Sequence, residues 1–338
     1  MKFAIVGFGG LGKVHFGNYL KFKEKSAHDV NLVAICDIDK EQFSKAVELN
    51  IGATDAPADL SQYNLYTDVD EMLEKEELDF VITALPTFLH DVIGEKIMNK
   101  GVSLFSEKPM ALTVERCQKM IDDAKRNNVK LQIGQCCRFE TPRENLKKLL
   151  DEGKYGKVIR AEFSRFSATP MWCWENWYHD DAKSGGAVLD LHVHDVDCIN
   201  WLFGKPKSIV SVAGNAKYKY ESICSTYKYD DFYVTTMTDW AMCPGSPFVV
   251  RGVINLEKAT IYMMDDASLK IYPAEGTPYS IECQDDNDMY VKEVVEFIDC
   301  VANNRDSDVI SPESTLVSVM LANAEKESAD KGMPVYLD

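Results

Sequence analysis

The residues with the clearest chemical potential are histidines and aspartates gathered in one short segment of the second half of the chain. Asp190, His194 and Asp197 follow one another at i, i+4 and i+7, so on a helix they share one face. His192 and Asp195 share another face of the same helix. An imidazole beside a carboxylate can act as a general base near neutral pH. The spacing therefore predicts proton transfer at His194, with Asp190 as its neighbour.

Two other interpretations of these histidines stay open. They could cap or pack inside the helix, or they could bind a metal ion together with the aspartates. A His-x-His pair converges readily on a strand, but on a helix His192 and His194 diverge by about 200°. The sequence favours catalysis over metal binding, and we expect no metal ion in the site.

A lysine follows the strand predicted at 102–106, within the run Ser106-Glu107-Lys108-Pro109. A lysine at such a strand end can face a nicotinamide, donate to a substrate hydroxyl or stabilise negative charge. Pro109 permits a cis peptide bond after Lys108. A solvated surface charge is the alternative for any single lysine, but this position favours a functional one.

A glycine-rich motif lies near the N-terminus, directly after the apolar run 3–6. The first glycine of G-x-G-x-x-G permits a tight turn, the second lets the backbone approach a pyrophosphate, and the third lets helix and strand pack closely. A plain glycine turn is the alternative, but the strand before the motif and the helix after it favour a dinucleotide site. The residues of this loop expected to bind the cofactor are Gly7, Gly9, Gly10, Leu11 and Gly12.

Asp37 predicts which dinucleotide binds. It directly follows the strand predicted at 31–36 and stands 25 residues after Gly12, where a ribose 2′-OH would be bound. Its carboxylate would accept a hydrogen bond from NAD and repel the 2′-phosphate of NADP. Ile38 and Asp39 follow instead of an arginine, and Lys40 is the only nearby cation in the sequence. NAD is therefore favoured over NADP.

The first third of the chain alternates strands and helices, which would position these residues. Strands are predicted at 2–6, 31–36, 79–84, 102–106 and 130–134. Helices are predicted at 10–24, 40–49, 88–100 and 114–127. Continuous apolar runs suit strands buried on both faces of a parallel sheet. The pattern predicts a doubly wound α/β Rossmann domain, in which the ligand lies beyond the carboxyl ends of the strands.

The pattern changes near residue 135. Helices are predicted at 143–152, 188–203, 289–303 and 313–331. Strands are predicted at 157–168, 207–219, 225–241, 248–256, 259–264 and 268–272. Successive strands without helices between them predict a mostly antiparallel sheet in an α+β domain. We predict a dinucleotide-binding domain at 1–127, a substrate-binding and oligomerisation domain at 128–338, and a ligand site between them.

Composition excludes several classes of protein. The 338 residues suit two domains, and the formal net charge of -17 argues against nucleic acid and anionic membranes as partners. Ten cysteines include no C-x-x-C pair, and the adjacent Cys136 and Cys137 are expected to be buried, reduced thiols. No signal peptide is recognisable, and no apolar run approaches the roughly 20 residues of a membrane span. We predict a cytoplasmic protein.

Three ordered motifs resemble those of the glucose-fructose oxidoreductase / inositol dehydrogenase / MocA (Gfo/Idh/MocA) family. They are the glycine loop, Glu107-Lys108-Pro109 and Asp190-x-x-x-His194, with Gly185-Gly186 before the last and Trp201-Leu202-Phe203-Gly204-Lys205-Pro206 after it. The resemblance covers nearly the whole chain. It implies a Rossmann domain, a second domain with an open-faced sheet, and reversible hydride transfer between a nicotinamide and a secondary alcohol, often of a sugar or cyclitol.

The resemblance also implies residue roles. Lys108 would contact the substrate hydroxyl and the nicotinamide region, His194 would take the hydroxyl proton, and Asp190 would position the substrate or tune the other two. The cofactor would also be lined by Pro86, Thr87, His90, Glu107 and Lys108.

Four residues are weaker candidates for substrate binding. Arg138 could be structural or substrate-facing. Trp172 and Trp177 could stack on a sugar ring, although such aromatic clusters more often pack in the core. His192 stands where relatives commonly carry glycine or another small residue, so it could line the pocket, and it keeps the metal alternative open.

The combined prediction is an NAD(P)-dependent dehydrogenase acting on a CH–OH group of a polyhydroxylated small molecule, with neither nucleic acid nor membrane as a partner. One alternative is a dinucleotide-binding regulator without catalysis, which would have no need of Lys108, Asp190 and His194 together. Another is a lyase or hydrolase that uses tightly bound NAD transiently. The exposed sheet face, commonly a subunit interface in the family, implies a homodimer or homotetramer through the C-terminal sheet.

Overall fold

A six-stranded parallel sheet organises the first part of the chain. The computed structural model describes residues 1–49, 52–54, 59–171, 173–264, 268–282 and 289–337. Strands β1 to β8 are Lys2–Val6, Asn31–Cys36, Val47–Leu49, Gly52–Thr54, Asn64–Tyr66, Phe80–Thr83, Ser103–Glu107 and Leu131–Gly134. The sheet order is β5-β2-β1-β6-β7-β8, and every neighbouring pair is parallel. This order reverses beside β1, as in a doubly wound sheet, so the prediction of a Rossmann domain is confirmed.

Four helices connect these strands and cover both faces of the sheet. Helices α1 to α4 are Gly10–Lys25, Val69–Lys75, His90–Asn99 and Val114–Asn127. The side chains of Asp68 and Thr113 accept backbone N–H bonds at the starts of α2 and α4, and α4 ends at Asn128 in the left-handed conformation. Strands β6, β7 and β8 are buried along their whole length, which explains their continuous apolar sequences.

The second sheet has nine strands. Strands β9 to β17 are Val158–Ala168, Ser208–Gly214, Ser222–Lys228, Tyr233–Met242, Val249–Leu256, Ala259–Met263, Leu269–Pro273, Tyr279–Ile281 and Val335–Tyr336. Their order is β16-β15-β14-β13-β9-β12-β11-β10-β17. Only the central pair β9 and β12 is parallel among these described pairs. The prediction of a mostly antiparallel sheet is confirmed.

Helices cover one face of the second sheet. Helices α5 to α10 are Thr141–Asp151, Asp181–Ser184, Gly186–Asp190, Val193–Phe203, Met289–Asn303 and Pro312–Lys331. Buried residues of α8 and α10 pack in one core with inward-facing residues of β10 and β11. The residues of β11 alternate between buried and exposed, so the opposite face of this sheet is left open.

Two elements beyond residue 128 belong to the packing of the first sheet. Strand β8 is its edge strand, and α9 inserts Val294 and Phe297 into the core beneath it. The Phe297 ring packs edge-on against Phe80 and Phe105 at centroid distances of 5.6 and 5.7 Å. The boundary between residues 127 and 128 stays a prediction, and the chain returns to the first sheet after β16, before β17 adds the last strand of the second sheet.

Two predicted helices are wrong in part. Residues 40–49 form a short 3-10 turn, Lys40–Phe43, followed by the hairpin of β3 and β4, because a short apolar segment does not distinguish a strand from a helix. The predicted helix 188–203 is broken, since α7 ends at Asp190 and α8 begins at Val193. At the break the N–H groups of both Leu191 and His192 donate to the Ala187 carbonyl. The shared helical face predicted for Asp190 and His194 is therefore interrupted.

Several smaller elements were not predicted, namely β5, α2, α6, β16 and β17. The β-prone stretch 225–241 contains parts of two strands, β11 and β12, joined by a turn in which Tyr229 N–H donates to the Phe232 carbonyl. Within the described residues, each helix is too short or too polar to span a bilayer.

Candidate active site

The glycine loop between β1 and α1 has the geometry of a phosphate cradle. Gly7 has φ of +87°, and a Cβ there would lie 2.3 Å from the Ala84 carbonyl oxygen. A Cβ on Gly12 would lie 1.9 Å from the Gly7 oxygen, so both positions exclude any side chain. A Cβ on Gly9 would meet open space among the described residues. Gly9 precedes α1 without a side-chain cap, which leaves the N–H groups of Gly10 and Leu11 in the first turn to a phosphate.

Asp37 holds this loop from the end of β2. Its carboxylate accepts hydrogen bonds from the backbone N–H of Phe8 at 2.6 Å and of Asp39 at 2.8 Å. Burial raises the pKa of Asp37, and these two backbone bonds offset part of that rise. The carboxylate thus lies against the loop that would hold the pyrophosphate, which fits the predicted contact to a ribose.

Replacing Asp37 by asparagine is expected to lower the preference for NADH over NADPH at least about tenfold. The amide oxygen of the new side chain can still accept the Phe8 N–H, whereas the charge that repels a 2′-phosphate is lost, and a hydrogen bond to a charged group contributes about 1.5–3 kcal/mol. Dissociation constants for both dinucleotides, measured by their fluorescence on binding, give the ratio. Asp39→Asn, an exposed neighbour, is the control, and an unchanged ratio in Asp37→Asn would remove Asp37 from ribose recognition.

Lys108 and Asp190 meet at the carboxyl end of β7. The Lys108 ammonium donates to the Asp190 carbonyl at 2.7 Å and to its Oδ1 at 3.2 Å. Both side chains are mostly shielded, with 16% and 13% of their surface exposed. The Lys108–Pro109 peptide bond is cis, as the proline permits. The structure therefore brings together two of the three predicted catalytic residues.

Glu107 is buried beneath Lys108 and is tied to the chain itself. One carboxylate oxygen lies 2.8 Å from His15 Nε2 on α1, and the other accepts the backbone N–H of Lys108 at 3.2 Å. Burial alone would raise the pKa of Glu107, but the hydrogen bond from His15 and the charges of His15 and Lys108 outweigh it, so the pKa is lowered. This carboxylate anchors the strand end, and its contact with a cofactor stays a prediction.

The segment after β6 is joined to the segment after β7 by His90. Its Nδ1 lies 2.7 Å from the Pro109 carbonyl oxygen and its Nε2 lies 2.8 Å from that of Leu85. Burial lowers the pKa of His90 despite these two contacts. Thr87 is buried, and its hydroxyl has no hydrogen-bond partner among the described residues. Pro86, Thr87 and His90 thus lie at the end of β6, next to the glycine loop in the sheet order, which fits their predicted place beside a cofactor.

His194 lies in the first turn of α8 and is half-buried. Its Nδ1 is 3.7 Å from Cys137 Sγ, in the turn after β8. Hydrogen bonds from the Cys136 and Cys198 thiols, together with the positive charge of Arg143, hold the pKa of Cys137 well below its usual range although burial opposes them. The candidate base thus has a soft, negatively polarised partner at one ring nitrogen.

The two aspartates that follow His194 are each neutralised by a buried arginine. Arg165 donates to Asp195 at 2.8 and 3.0 Å, and Arg138 donates to Asp197 at 2.8 and 2.7 Å. Such two-pronged pairs fix geometry and leave neither carboxylate free for a metal ion.

His192 has different neighbours from His194. It is fully buried, and its Nε2 lies 3.2 Å from Glu325, which also accepts the Tyr227 hydroxyl at 2.9 Å. Burial alone would lower the pKa of His192, but the charge and hydrogen bond of Glu325 outweigh it and raise that pKa. The structure does not assemble the metal set of two histidines and aspartates, and this placement favours a packing role for His192.

The remaining substrate candidates also lie in packed surroundings. Arg138 is 2% exposed, and its Nη1 additionally donates to the Val309 carbonyl at 3.2 Å. Trp177 packs on Tyr178 at a centroid distance of 4.2 Å, in a small core with Trp240. These placements favour the structural alternative for both residues. Trp172 lies outside the described residues.

Sequence reasoning passed over two residues at the end of β8. Cys137 contacts the candidate base, and Gln135 is fully buried with neither amide atom hydrogen-bonded to any described residue. The signal was available, because both follow a predicted parallel strand in the same way that Lys108 follows β7.

Comparison with known proteins identifies relatives of both parts of the chain. Residues 1–135 match the oxidoreductase family with an NAD-binding Rossmann fold, and residues 144–251 match the Gfo/Idh/MocA C-terminal domain. The chain is 25% identical to scyllo-inositol 2-dehydrogenase (NAD(+)) of Bacillus subtilis over 360 aligned residues, covering 100% of this chain and 96% of that protein. It is 28% identical to 2,7-anhydro-N-acetylneuraminate hydratase of Mediterraneibacter gnavus over 218 residues, covering 64% and 54%.

A solved structure shows the same fold over the whole chain. Levoglucosan dehydrogenase in complex with NADH and levoglucosan superposes with a TM-score of 0.84 at 16% identity, covering 99% of both chains. The two domain matches span most of the sequence and agree with the two sheets. The chain therefore belongs to the Gfo/Idh/MocA family of oxidoreductases and carries that family's NAD-binding Rossmann domain.

Proposed function

We propose that this oxidoreductase transfers hydride between NAD and a secondary alcohol of a sugar, cyclitol or related polyol. The observation that carries the proposal is the shielded ammonium of Lys108, held by Asp190 at the carboxyl end of β7. An ammonium has three donors, and Asp190 takes two of them, so one N–H remains for a substrate oxygen. The other strand ends around it supply the glycine loop and the segment of Thr87 and His90.

In the proposed reaction the alcohol loses one proton and one hydride, and each has a named acceptor. His194 receives the hydroxyl proton, and Lys108 donates to the same oxygen as it becomes a carbonyl. Asp190 keeps the ammonium of Lys108 in place. Bound NAD supplies the carbon that accepts the hydride. In the reverse direction His194 returns the proton to the carbonyl oxygen.

The substrate class rests on relatives and on the residues available. The Bacillus subtilis relative is named for a cyclitol and for NAD(+), and the superposed dehydrogenase binds levoglucosan. A polyol needs donors and acceptors at several hydroxyls, which Lys108, Asp190 and His194 provide. The carboxylate of Asp37 supports NAD over NADP.

A transient use of NAD is the second candidate, because one relative is named a hydratase. Such an enzyme would consume its substrate without net formation of NADH. A regulator without catalysis is less well supported, because the Lys108–Asp190 contact and His194 would have no purpose in it.

We also propose a homodimer or homotetramer through the open face of the second sheet. The exposed side chains of this face include Val210, Val212, Met237, Tyr262 and Tyr272. Large apolar residues grouped on a sheet face are typical of subunit contacts.

The proposed reaction predicts NADH formation with at least one member of a panel of cyclitols, aldoses, sugar acids and amino sugars. Lys108→Met is expected to lower kcat/KM by about 10²–10³, because removing one donor to a developing oxyanion costs that much. Absorbance of NADH gives the rate. Lys100→Met, an exposed lysine after α3, should match the wild type.

The outcomes separate the candidates. Full activity of Lys108→Met on a substrate that the wild type oxidises would remove the ammonium from the reaction. Consumption of a sugar without net NADH, by protein that copurifies with the cofactor, would favour the transient use of NAD.

A further inference from the structure

Three soft ligand atoms converge beside the candidate base. Cys136 and Cys137 lie in the 3-10 turn Cys136–Phe139 after β8, and His194 lies in the first turn of α8. One sulfur from each cysteine and one ring nitrogen of the histidine all lie within 4.8 Å of one another. Both cysteines are buried, whereas His194 is half-buried. The two cysteines are therefore shielded from solvent, whereas the imidazole is partly accessible to it.

The spacing matches that of ligands on one metal ion. In tetrahedral zinc sites the Zn–S distance is about 2.3 Å and the Zn–N distance about 2.0–2.1 Å, which separates a sulfur and a nitrogen ligand by about 3.6 Å. Cys137 Sγ and His194 Nδ1 lie 3.7 Å apart. An ion could bind both atoms without movement of the backbone. Cys198 on α8 packs in the same buried cluster as the two cysteines.

The surrounding charges permit a divalent ion. Two thiolates cancel its charge, so the occupied site adds no net charge to the interior. Arg165, whose Nη2 lies 4.0 Å from Cys137 Sγ, is already neutralised by Asp195. Sulfur and imidazole ligands select soft or borderline cations such as Zn²⁺ over Mg²⁺ or Ca²⁺.

We propose that Cys136, Cys137 and His194 form a binding site for a soft divalent cation of the Zn²⁺ class, and that its occupancy inhibits the enzyme. A neutral imidazole that coordinates a metal through Nδ1 carries its proton on Nε2. His194 in that state has no lone pair to accept a substrate proton. The inhibition rests on the proposed function, whereas the binding of the ion does not. This ligand set differs from the set of His192, His194 and aspartates considered from the sequence.

Titration of the full-length, reduced protein with Cd²⁺ tests the site without substrate. The wild type should show thiolate-to-metal charge-transfer absorbance that saturates with a tightly bound ion, and C136S/C137S should lose it. The matched control is C224S/C243S, which replaces two exposed cysteines and should keep the absorbance. Equal absorbance in the two double variants, or its loss only in C224S/C243S, would overturn the proposal.

A further variant guards against misfolding of C136S/C137S. His194→Gln replaces a half-buried ligand, and it should weaken Cd²⁺ binding at least about tenfold, as loss of even an outer partner does. Unchanged Cd²⁺ affinity in His194→Gln would exclude the imidazole from the site. NADH affinity and the unfolding temperature of each variant show whether the fold is kept.

Activity measurements separate this proposal from the proposed function. Relative to each protein's own rate without added metal, Zn²⁺ should inhibit oxidation of an identified polyol by the wild type and by C224S/C243S, whereas it should leave the residual rate of C136S/C137S unchanged. If Cd²⁺ binds at the predicted cysteines and Zn²⁺ leaves turnover unchanged, the proposal of inhibition is wrong, whereas the proposal of a binding site is supported. If the wild type oxidises no polyol, the charge-transfer titration still decides whether the site exists.

Discussion

Replacing His194 by alanine is expected to lower turnover of an identified polyol at least about a hundredfold, because a positioned general base contributes about 10²–10⁴ in rate. The imidazole lies in the first turn of α8, and its Nδ1 faces Cys137 at 3.7 Å. The other ring nitrogen is therefore the one left for a substrate hydroxyl. Steady-state NADH formation gives kcat and KM for each variant.

Whether the substitution of His194 changes kcat or KM matters as much as the size of the change. A lost general base lowers kcat, whereas a lost binding contact raises KM with kcat unchanged. NADH affinity should stay near that of the wild type, since His194 belongs to the second part of the chain. His28→Ala, a surface histidine paired with Asp299, is the matched control. Turnover of His194→Ala close to that of the wild type would take this residue out of the reaction.

Replacing Arg138 by methionine is expected to lower the free energy of unfolding by about 3–5 kcal/mol, the cost of leaving a buried charge without its partner. Arg138 and Asp197 are 2% and 0% exposed and are joined by two hydrogen bonds. Asp197 also accepts the Ser318 hydroxyl at 2.8 Å. The pair therefore ties the turn after β8 to α8 and α10, which is a structural role.

Urea unfolding of Arg138→Met and of the double variant Arg138→Met/Asp197→Leu measures this effect. The double variant should recover most of the lost stability, because neither charge is then left alone. Arg126→Met, which removes a half-exposed arginine, is the control and should change stability far less. A stable Arg138→Met with a raised KM would instead support the substrate-facing alternative.

The sequence by itself determined the Rossmann domain and the position of its glycine loop. The apolar runs of β1, β6 and β7 are continuous, as is typical of buried parallel strands. Gly7 and Gly12 stand where no side chain fits. These signals are local, because a few consecutive residues decide a turn or a strand. Lys108 could be singled out for the same reason, since its position at a strand end is a local property.

The sequence was less informative where backbone structure depends on distant packing. The sequence of residues 40–49 predicts a helix, but its last three residues form β3, which pairs with β4 in a hairpin. The sequence of residues 188–203 predicts one helix. In the structure this helix is broken where the N–H groups of Leu191 and His192 both donate to the Ala187 carbonyl. The prediction that Asp190 and His194 share one helical face failed because the sequence does not reveal this break.

Only the tertiary structure decided which side chains meet. Lys108 contacts Asp190 across 82 positions, Arg138 pairs with Asp197 across 59, and Cys137 approaches His194 across 57. His192 and His194, two residues apart, face different neighbours. The physical reason is that local patterns encode the backbone of each element, whereas the partner of a buried charge or thiol depends on how separate elements pack.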